Sequence, residues 1–263
     1  MNKVVVITGA SSGIGKATSI YLINKGYTVY GLSRSEGDVE GCKYIKCDVT
    51  KKEEIEVAFN TIYDEAKRID VVINNAGIGV SGAIEYATEE ELLDIFSVNV
   101  FGVVNVCQVA IKYLRETKGK IINIGSVAGP MTIPFQAYYS MTKTSVESLS
   151  EALRMELKPF GIKVTTVLPG DTKTNFTKNR KAPKVAADKL YHDRIIRSIR
   201  RMEKDEEKGV SPFKVSKVIY KVMKRKNPPV KVVVGFSYKF LVFLKRLFPD
   251  RLVNYILYRL YAK

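Results

Sequence analysis

A chain of 263 residues is long enough for one large domain or two small ones, and its 46% hydrophobic and 27% charged residues are usual for a globular protein. The formal net charge of +16 lies in the last third, because residues 178–263 hold 24 basic and 7 acidic residues whereas residues 1–177 hold 19 and 20. Three cysteines without ligand spacing argue against a disulfide framework or a metal site, and the one histidine, His192, offers little basis for zinc or Ser-His chemistry.

Short apolar runs rich in β-formers alternate with helical patterns along most of the chain. Several runs are apolar almost throughout, as is typical of parallel strands covered on both faces. The alternation predicts an α/β fold, a doubly wound sheet of about seven parallel strands with helices on both faces. The predicted strands are Val4–Thr8, Thr28–Leu32, Tyr44–Cys47, Val71–Asn74, Lys120–Gly125, Lys163–Val167 and Lys231–Gly235.

Capping signals predict where several helices begin and end. The segments Thr50–Glu53 and Thr88–Glu91 both match the capping box, in which two side chains satisfy free amides at a helix start. Lys25–Gly26 predicts a helix stop. Ser211–Pro212 predicts an N-cap and a first helical residue for a helix that runs to about Arg225.

The opening MNKVVVITGASS has only a short apolar run, which indicates a buried strand rather than a signal peptide. No uninterrupted apolar stretch is long enough to span a bilayer. Because the three cysteines are typical of buried thiols in a reducing cytosol, we expect a cytoplasmic protein, which could also associate with a membrane. Gly9, Gly13 and Gly15 follow this strand and permit a tight turn in which a diphosphate could approach the backbone at a helix N-terminus. Their place at the first strand-to-helix junction is that expected of a dinucleotide-binding Rossmann fold, although the glycines alone would also suit a plain tight turn.

Six motifs in register resemble the short-chain dehydrogenase/reductase family. They are TGASSGIG at 8–15, NNAG at 74–77, Asn99, Ser126, Tyr139 with Lys143, and PG at 169–170. The resemblance covers residues 3–175 in order and implies a single Rossmann-type catalytic domain over residues 1–235. It also implies a small-molecule ketone or alcohol substrate and a homo-oligomer, either a dimer or a tetramer.

The resemblance, together with the side chains themselves, implies which residues contact the cofactor. Asp48–Val49 is similar to the family's adenine contact, and Asn75–Gly77 is similar to its cofactor-lining turn. The loop that begins at Pro169 is similar to the family's segment beside the nicotinamide carboxamide. The implied cofactor-binding residues are Gly9, Ser11, Ser12, Gly13, Ile14, Gly15, Ser33, Arg34, Ser35, Asp48, Val49, Asn75, Ala76, Gly77, Tyr139, Lys143, Pro169, Gly170, Thr172 and Thr174.

Of two adjacent tyrosines, Tyr139 is predicted to carry proton transfer. A free phenol has a pKa near ~10, and a nearby ammonium lowers that pKa towards neutrality. Only Tyr139 has a lysine, Lys143, one helical turn later; Tyr138 is followed there by Thr142. The family pattern also places a serine thirteen residues before its tyrosine, and Ser126 stands at that position.

The resemblance implies four catalytic roles. Tyr139 donates the proton to a developing oxyanion while Ser126 hydrogen-bonds the same oxygen. Lys143 lowers the tyrosine pKa and holds the nicotinamide ribose. Asn99 resembles the family's asparagine that supports a water chain to the lysine. Taken alone, the tyrosine and lysine would be an exposed helical pair, and Asn99 would be a polar interruption of a helix.

The end of the second predicted strand indicates which cofactor is preferred. Arg34 is flanked by Ser33 and Ser35, and a guanidinium with neighbouring hydroxyls suits a 2′-phosphate. We therefore expect NADP(H). The alternative is that Arg34 points into solvent and Glu36 or Asp38 binds the ribose, in which case NAD(H) would serve.

Residues 236–263 are predicted to form a basic amphipathic helical extension, with its two apolar runs separated by Pro249. Such helices can lie in a membrane interface. The slightly favoured alternative is packing on the core, on a substrate mouth or on a second subunit. Nucleic acid ranks last, since no binding motif accompanies the pI of about 9.6. The apolar positions at helical spacing are Phe236, Phe240, Phe243, Leu244, Leu247, Leu252, Ile256 and Leu260.

The tail resembles the hydroxysteroid-dehydrogenase-like and lipid-ketone branch of the family, which implies a bulky hydrophobic substrate. The polar segment at residues 173–209 is predicted to cap that substrate, although its cations could favour an acidic one. We therefore expect an NADP(H)-dependent oxidoreductase that interconverts a ketone and a secondary alcohol. The alternatives are a carrier-linked 3-oxoacyl reductase and a non-catalytic dinucleotide-binding sensor or scaffold.

Overall fold

The computed structural model describes residues 2–174, 176 and 190–263. Seven parallel strands form one sheet in the order β3-β2-β1-β4-β5-β6-β7, with helices on both faces. The strands are β1 (Val4–Thr8), β2 (Thr28–Ser33), β3 (Cys42–Lys46), β4 (Val71–Asn74), β5 (Lys120–Ile124), β6 (Lys163–Leu168) and β7 (Lys231–Val233). The helices are α1 (Gly13–Ile23), α2 (Lys52–Ala66), α3 (Glu89–Phe96), α4 (Gly102–Thr117), α5 (Ala137–Glu156), α6 (His192–Glu207), α7 (Pro212–Lys224), α8 (Phe236–Leu247) and α9 (Asp250–Tyr261).

Strand β1 shows why the apolar runs become buried parallel strands. All five of its side chains are buried, and successive side chains point to opposite faces of the sheet. Val4 and Val6 pack in one core with α2 and α4, whereas Val5 and Ile7 pack in a second core with α1 and α7. The doubly wound α/β architecture predicted from the sequence is confirmed.

Strands β1 and β4 have the predicted bounds, and the boundaries of the other strands differ from the predictions by at most two residues. Strand β2 continues to Ser33, and β5 ends at Ile124. The largest differences are at the two edge strands, since β3 begins two residues early and β7 ends at Val233. Gly235, with φ 94°, then takes a conformation that closes the strand, because a positive φ is incompatible with continued pairing.

One of the two predicted capping boxes forms. Thr88 accepts a hydrogen bond from Glu91 N, and the Glu91 carboxylate accepts one from Thr88 N, so α3 begins as predicted. The prediction for Thr50–Glu53 is wrong, since α2 begins after Lys51. The Thr50 hydroxyl instead donates to Asp48 Oδ1 at 2.8 Å, because an aspartate two residues earlier competes for it.

Other helix signals are confirmed. Helix α1 ends at Ile23, and Gly26 follows with φ 79° as a left-handed stop. Ser211 caps α7 by accepting from Phe213 N, and Pro212 is the first helical residue. The segment predicted to cap the substrate is described only in part: residues 175 and 177–189 lie outside the described residues, and α6 forms the remainder.

One continuous helical run, Glu89–Thr117, is long and apolar enough by length and composition to cross a membrane. It joins α3 to α4 through a π-helical turn. The sequence prediction considered only uninterrupted apolar stretches and passed over this run, which contains Asp94 and Asn99. In the structure Val106 and Ala110 of this run are fully buried against the sheet, as in a core helix.

Candidate active site

A cavity of about 570 Å³ lies where the strands end at their carboxyl edge. The loops that follow β1, β2, β3, β4, β5 and β6 all contribute to its lining. In open parallel sheets this edge is where ligands bind, because neighbouring crossovers leave a crevice there. Every predicted site residue lines this cavity except Gly15 and Asn99.

The glycine loop leaves bare backbone beside the cavity. Gly9 and Gly13 have φ of 65° and 52°, which L side chains rarely adopt. A Cβ on Gly15 would lie 2.2 Å from the Gly9 carbonyl oxygen, so α1 could not pack this closely with any other residue there. The Asn75 amide holds the loop in place by donating to the carbonyls of Thr8 and Gly9 at 3.0 and 3.1 Å.

The two adjacent tyrosines of α5 face different surroundings. Tyr138 is buried, and its hydroxyl donates to the Ala83 carbonyl at 3.0 Å. Burial, with a smaller contribution from the charge of Glu91, raises the pKa of Tyr138 to about 12. Tyr139 lines the cavity instead, with its ring 5.6 Å from that of Phe176. Of the pair, only Tyr139 lines the cavity.

Lys143 is buried beneath Tyr139. Its Nζ lies 5.5 Å from the centre of the Tyr139 ring and donates to the Ile124 carbonyl at 3.0 Å. Burial lowers the pKa of Lys143 to about 8, because desolvation disfavours the charged ammonium. A Cβ on Gly77 would lie 3.2 Å from Asn99 Oδ1 and 3.7 Å from the same Nζ, so the loop after β4 packs closely against Asn99 and Lys143.

Asn99 lies behind the cavity in the π-helical turn Ser97–Phe101. Its Oδ1 accepts from Ile78 N at 2.8 Å, and its Nδ2 donates to the Ile78 carbonyl at 2.9 Å and to Thr142 Oγ1 at 3.2 Å. These bonds join the loop after β4 to α5, one residue before Lys143. The side chain therefore both interrupts the α-helical run, as one alternative predicted, and joins two parts of the site by buried hydrogen bonds.

Ser126 follows β5 and lines the cavity with Tyr139. The Ser126 Oγ accepts a hydrogen bond from the Ala128 amide at 3.1 Å. Because a hydroxyl has one proton as well as two lone pairs, this contact leaves the O–H able to donate towards the cavity.

The mouth of the cavity below β2 carries an exposed cation. Arg34 and Ser35 line the cavity, and Ser35 Oγ lies 3.5 Å from Ser11 Oγ. The Ser33 hydroxyl also lines it but donates to the Ser35 carbonyl at 2.6 Å and so fixes this loop. The arrangement presents a guanidinium and hydroxyls at one corner.

The two acids considered as alternative ribose contacts are placed differently from Arg34. Asp38 pairs with Lys16 at 2.6 Å, and this contact lowers the pKa of Asp38. Glu36 lines a neighbouring surface depression, to which Arg34 and Ser35 also contribute. Neither acid belongs to the residues that line the cavity.

Asp48, after β3, is held by its own loop. Burial opposes ionisation of its carboxylate, but hydrogen bonds from the amide and hydroxyl of Thr50, with the charge of Arg34 nearby, lower its pKa. Both Asp48 and Val49 face the cavity beside Arg34. An ionised carboxylate here can only accept hydrogen bonds, which suits amino or hydroxyl groups of a ligand.

The far end of the cavity was not predicted residue by residue. Apolar and aromatic side chains from the loop after β5, from residue 176 and from α6, α8 and α9 form its wall. The sequence of α8 and α9 did contain a signal for this wall, because the wall residues lie on the side of each helix that is opposite its exposed apolar residues. The wall residues are Met131, Ile133, Phe176, Met202, Tyr238, Leu241, Leu257 and Tyr261.

Polar contacts attach α8 and α9 to this wall. The Tyr238 hydroxyl bonds the Asp171 carboxylate, and the Tyr238 ring occupies the space that a side chain at Gly170 would need. The Arg194 guanidinium donates to the carbonyl of Ala262 at 2.9 Å. The C-terminal helices are therefore part of the site. Among the described residues, no group of three or more His, Cys, Asp or Glu side chains could hold a metal ion.

Comparisons with known proteins give the relatives of the chain. Residues 3–184 match the family described as short chain dehydrogenase. The 3-ketodihydrosphingosine reductase of Bacteroides thetaiotaomicron is 43% identical over 264 residues, covering 99% of this chain and 98% of the relative. The NADPH-dependent 1-acyldihydroxyacetone phosphate reductase of Saccharomyces cerevisiae is 29% identical over 245 residues, covering 89% and 82%. A short-chain dehydrogenase structure from Streptomyces avermitilis has a TM-score of 0.85 at 31% identity and 94% coverage of both chains.

Proposed function

The chain belongs to the short-chain dehydrogenase/reductase family, whose members act on CH–OH or ketone groups, and we propose that it is an NADP(H)-dependent reductase of a lipid-like ketone. The observation that carries this proposal is the pairing of a cavity-facing phenol, Tyr139, with the buried ammonium of Lys143. A dinucleotide-binding sensor or scaffold would have no use for a proton donor at this position.

The residues present fit a dinucleotide. The bare backbone at Gly9 and Gly13 leaves room for a diphosphate, and the first amides of α1 favour its negative charge. Asp48 and Val49 would hold the adenine, and the loop from Pro169 would hold the nicotinamide end. When bound, the nicotinamide supplies the hydride in reduction or accepts it in oxidation.

The protein's own contribution is proton transfer and charge stabilisation. With a pKa of about 8, Lys143 is charged in most molecules at neutral pH, and its charge favours the phenolate form of Tyr139. Tyr139 then gives its proton to the carbonyl oxygen in reduction and takes it back in oxidation. The free O–H of Ser126 donates to the same oxygen and stabilises the negative charge that develops there.

The preference for NADP(H) rests on the charges at the cavity mouth. The Arg34 guanidinium can bind a 2′-phosphate through two hydrogen bonds, and the Ser35 hydroxyl adds a third donor. Asp38, which would repel a phosphate, is neutralised by Lys16. The yeast relative is named as NADPH-dependent, which supports the same choice.

The substrate proposed is a long-chain ketone. The Bacteroides relative is named for reducing 3-ketodihydrosphingosine and aligns over almost the whole chain, including the tail. The apolar wall suits an alkyl chain, because contact between the two removes apolar surface of both from water, which is favourable. This part of the wall consists of Met131, Met202, Leu241 and Leu257. The second candidate substrate is a steroid ketone, which is also bulky and apolar and which the resemblance of the tail to hydroxysteroid dehydrogenases implies.

Assembly as a homodimer or homotetramer belongs to the same proposal. Phe101, Met141 and Met155 on or beside α4 and α5 are exposed apolar side chains, and a second copy would remove them from water.

The experiment that tests the proposal follows consumption of NADPH with a panel of ketones. The panel contains 3-ketodihydrosphingosine, a steroid ketone, a carrier-linked 3-oxoacyl thioester and a sugar. We expect the highest kcat/KM with the long-chain amino ketone. Highest activity with the carrier-linked thioester would replace this proposal by the 3-oxoacyl reductase alternative, and no turnover with any ketone would favour a sensor.

A further inference from the structure

Helix α8 exposes a continuous apolar stripe. Phe236, Phe240, Phe243 and Leu247 recur at helical spacing on one side, and their exposed fractions are 86%, 54%, 55% and 63%. Most apolar side chains of this size are buried in a folded domain, and grouped exposure of them marks an interaction surface.

Helix α9 repeats the arrangement. Leu252, Ile256 and Leu260 are between 43% and 49% exposed and lie one turn apart. Its wall residues, Leu257 and Tyr261, lie on the opposite side of the helix and line the cavity.

The same opposition holds in α8, where the wall residues are Tyr238 and Leu241. Both helices therefore separate the cavity from an apolar outer face. We call this outer face the tail surface; it consists of Phe236, Phe240, Phe243, Leu247, Leu252, Ile256 and Leu260.

Positive charge borders the tail surface. Residues 236–263 contain six basic residues and one acidic residue, Asp250. Lys239, Arg246 and Arg259 are exposed beside the apolar stripes, and the ion pairs recorded for the described residues include none of them. Their charges are therefore available to an external anionic partner.

We propose that the tail surface docks on an anionic lipid membrane, with the apolar stripes inserted at the level of the headgroups and the cations paired with lipid phosphates. Amphipathic helices with aromatic and aliphatic residues on one face and lysine or arginine beside them bind membranes in this way. The proposal goes beyond the reaction and does not depend on it, because it concerns the face of α8 and α9 that points away from the cavity.

Charge favours a lipid surface over a second copy of the chain. In a two-fold interface the same patch meets itself, so Lys239, Arg246 and Arg259 would face like charges. An anionic bilayer instead offers phosphates to these side chains and an apolar layer to the phenylalanines. A membrane at this face would also bring a long-chain ketone beside the wall of the cavity.

The test is flotation of the full-length protein with lipid vesicles. We expect binding to vesicles of phosphatidylcholine containing phosphatidylglycerol, and much weaker binding to phosphatidylcholine alone. Phe240→Ser with Phe243→Ser should lower the partition coefficient at least about tenfold, because two inserted side chains are lost. Val57→Ser, a similarly exposed apolar position on α2, should leave binding unchanged.

Further variants and readouts keep the outcomes separate. Lys239→Glu with Arg246→Glu should remove the preference for anionic vesicles. Turnover of a water-soluble ketone without vesicles should be unchanged in all these variants, which verifies that they fold and that the reaction does not depend on docking. Wild-type protein that floats with neither vesicle would overturn the proposal. Equal vesicle binding by the wild type and by Phe240→Ser with Phe243→Ser would also overturn the proposal. The same holds if the wild type binds no lipid and light scattering shows that this double variant forms a smaller assembly than the wild type.

Discussion

At the scale of single residues, burial decides what neighbouring side chains can do. Lys143 is buried with a hydrogen bond to the Ile124 carbonyl, and desolvation lowers its pKa to about 8. Tyr138, five residues before it, is also buried, and its pKa rises to about 12. Desolvation thus disfavours the charged form of both side chains. Only the pKa of the lysine is brought close to neutral pH, where acid–base catalysis is efficient.

The shifted lysine predicts a pH dependence of stability. The pKa of Lys143 is about 8 in the folded protein and 10.5 ordinarily, so between these values the unfolded chain binds more protons. Stability attributable to this residue therefore rises as pH increases from about 8 to 10.5. Compared with Lys143→Met, the wild type should gain up to about 3 kcal/mol in free energy of unfolding over this interval. Urea unfolding of both proteins from pH 7 to 10.5 measures the gain, and parallel curves would contradict the burial of this charge.

The cation at the cavity mouth predicts cofactor preference. Arg34→Asp should lower kcat/KM for NADPH by about 100-fold and leave that for NADH within a few-fold, because a carboxylate repels the 2′-phosphate but can accept from a ribose hydroxyl. Lys214→Asp, an exposed lysine at the start of α7, is the matched control for a change of charge and should affect neither cofactor. An unchanged ratio of NADPH to NADH activity in Arg34→Asp would refute the role assigned to this residue.

At the scale of elements, the strands were predictable because their apolar runs are buried on both faces, and the edge strands were less so because fewer contacts fix their ends. Helix starts were predictable only where the capping side chain had no competing partner. Thr88 has none nearby, whereas the Thr50 hydroxyl bonds Asp48. The π-helical turn at Ser97–Phe101 carries Asn99, whose bonds to Ile78 and Thr142 join residues distant in sequence and leave no local pattern.

The contrast between the two threonines gives a prediction about stability. Thr88→Ala should lower the free energy of unfolding by about 1 kcal/mol, because the amide of Glu91 loses its cap. Thr50→Ala should lower the free energy of unfolding by less, since the backbone amide of residue 50 can still donate its hydrogen bond to the Asp48 carboxylate. Chemical denaturation of the two variants measures the difference, and an equal or reversed order would contradict the assignment of the caps.

At the scale of the whole molecule, the sequence indicated two amphipathic helices but not which side would face the protein. The packing alternative for the tail describes one face, where Tyr238 and Leu257 line the cavity, whereas Phe240 lies on the exposed face for which we propose membrane docking. The choice depends on Asp171, Asp205 and Arg194, which hold the helices through Tyr238, Tyr261 and Ala262. Such pairs lie about 56 to 68 residues apart in sequence and give no periodic signal.

The cavity wall predicts a change in substrate affinity. If the substrate is the long-chain ketone that we propose, Leu257→Ala should raise KM for it about tenfold and change KM for a small ketone little, because a small ketone would be too short to contact α9. Leu252→Ala, one turn earlier on the outer face, is the matched control and should leave both values unchanged in the absence of membranes. Equal effects of the two variants would show that the wall does not contact the substrate.

The most direct test of the account compares turnover and cofactor binding in Tyr139→Phe and Tyr138→Phe. Loss of the Tyr139 hydroxyl should reduce kcat by a factor of about 100 to 10,000 while the dissociation constant for NADPH stays within a few-fold, because the phenol moves a proton rather than anchoring the cofactor. Loss of the Tyr138 hydroxyl removes a buried hydrogen bond to Ala83 and should cost stability of about 1 kcal/mol with little change in kcat. Comparable kcat values for the two variants would contradict the assignment of Tyr139 as the proton donor.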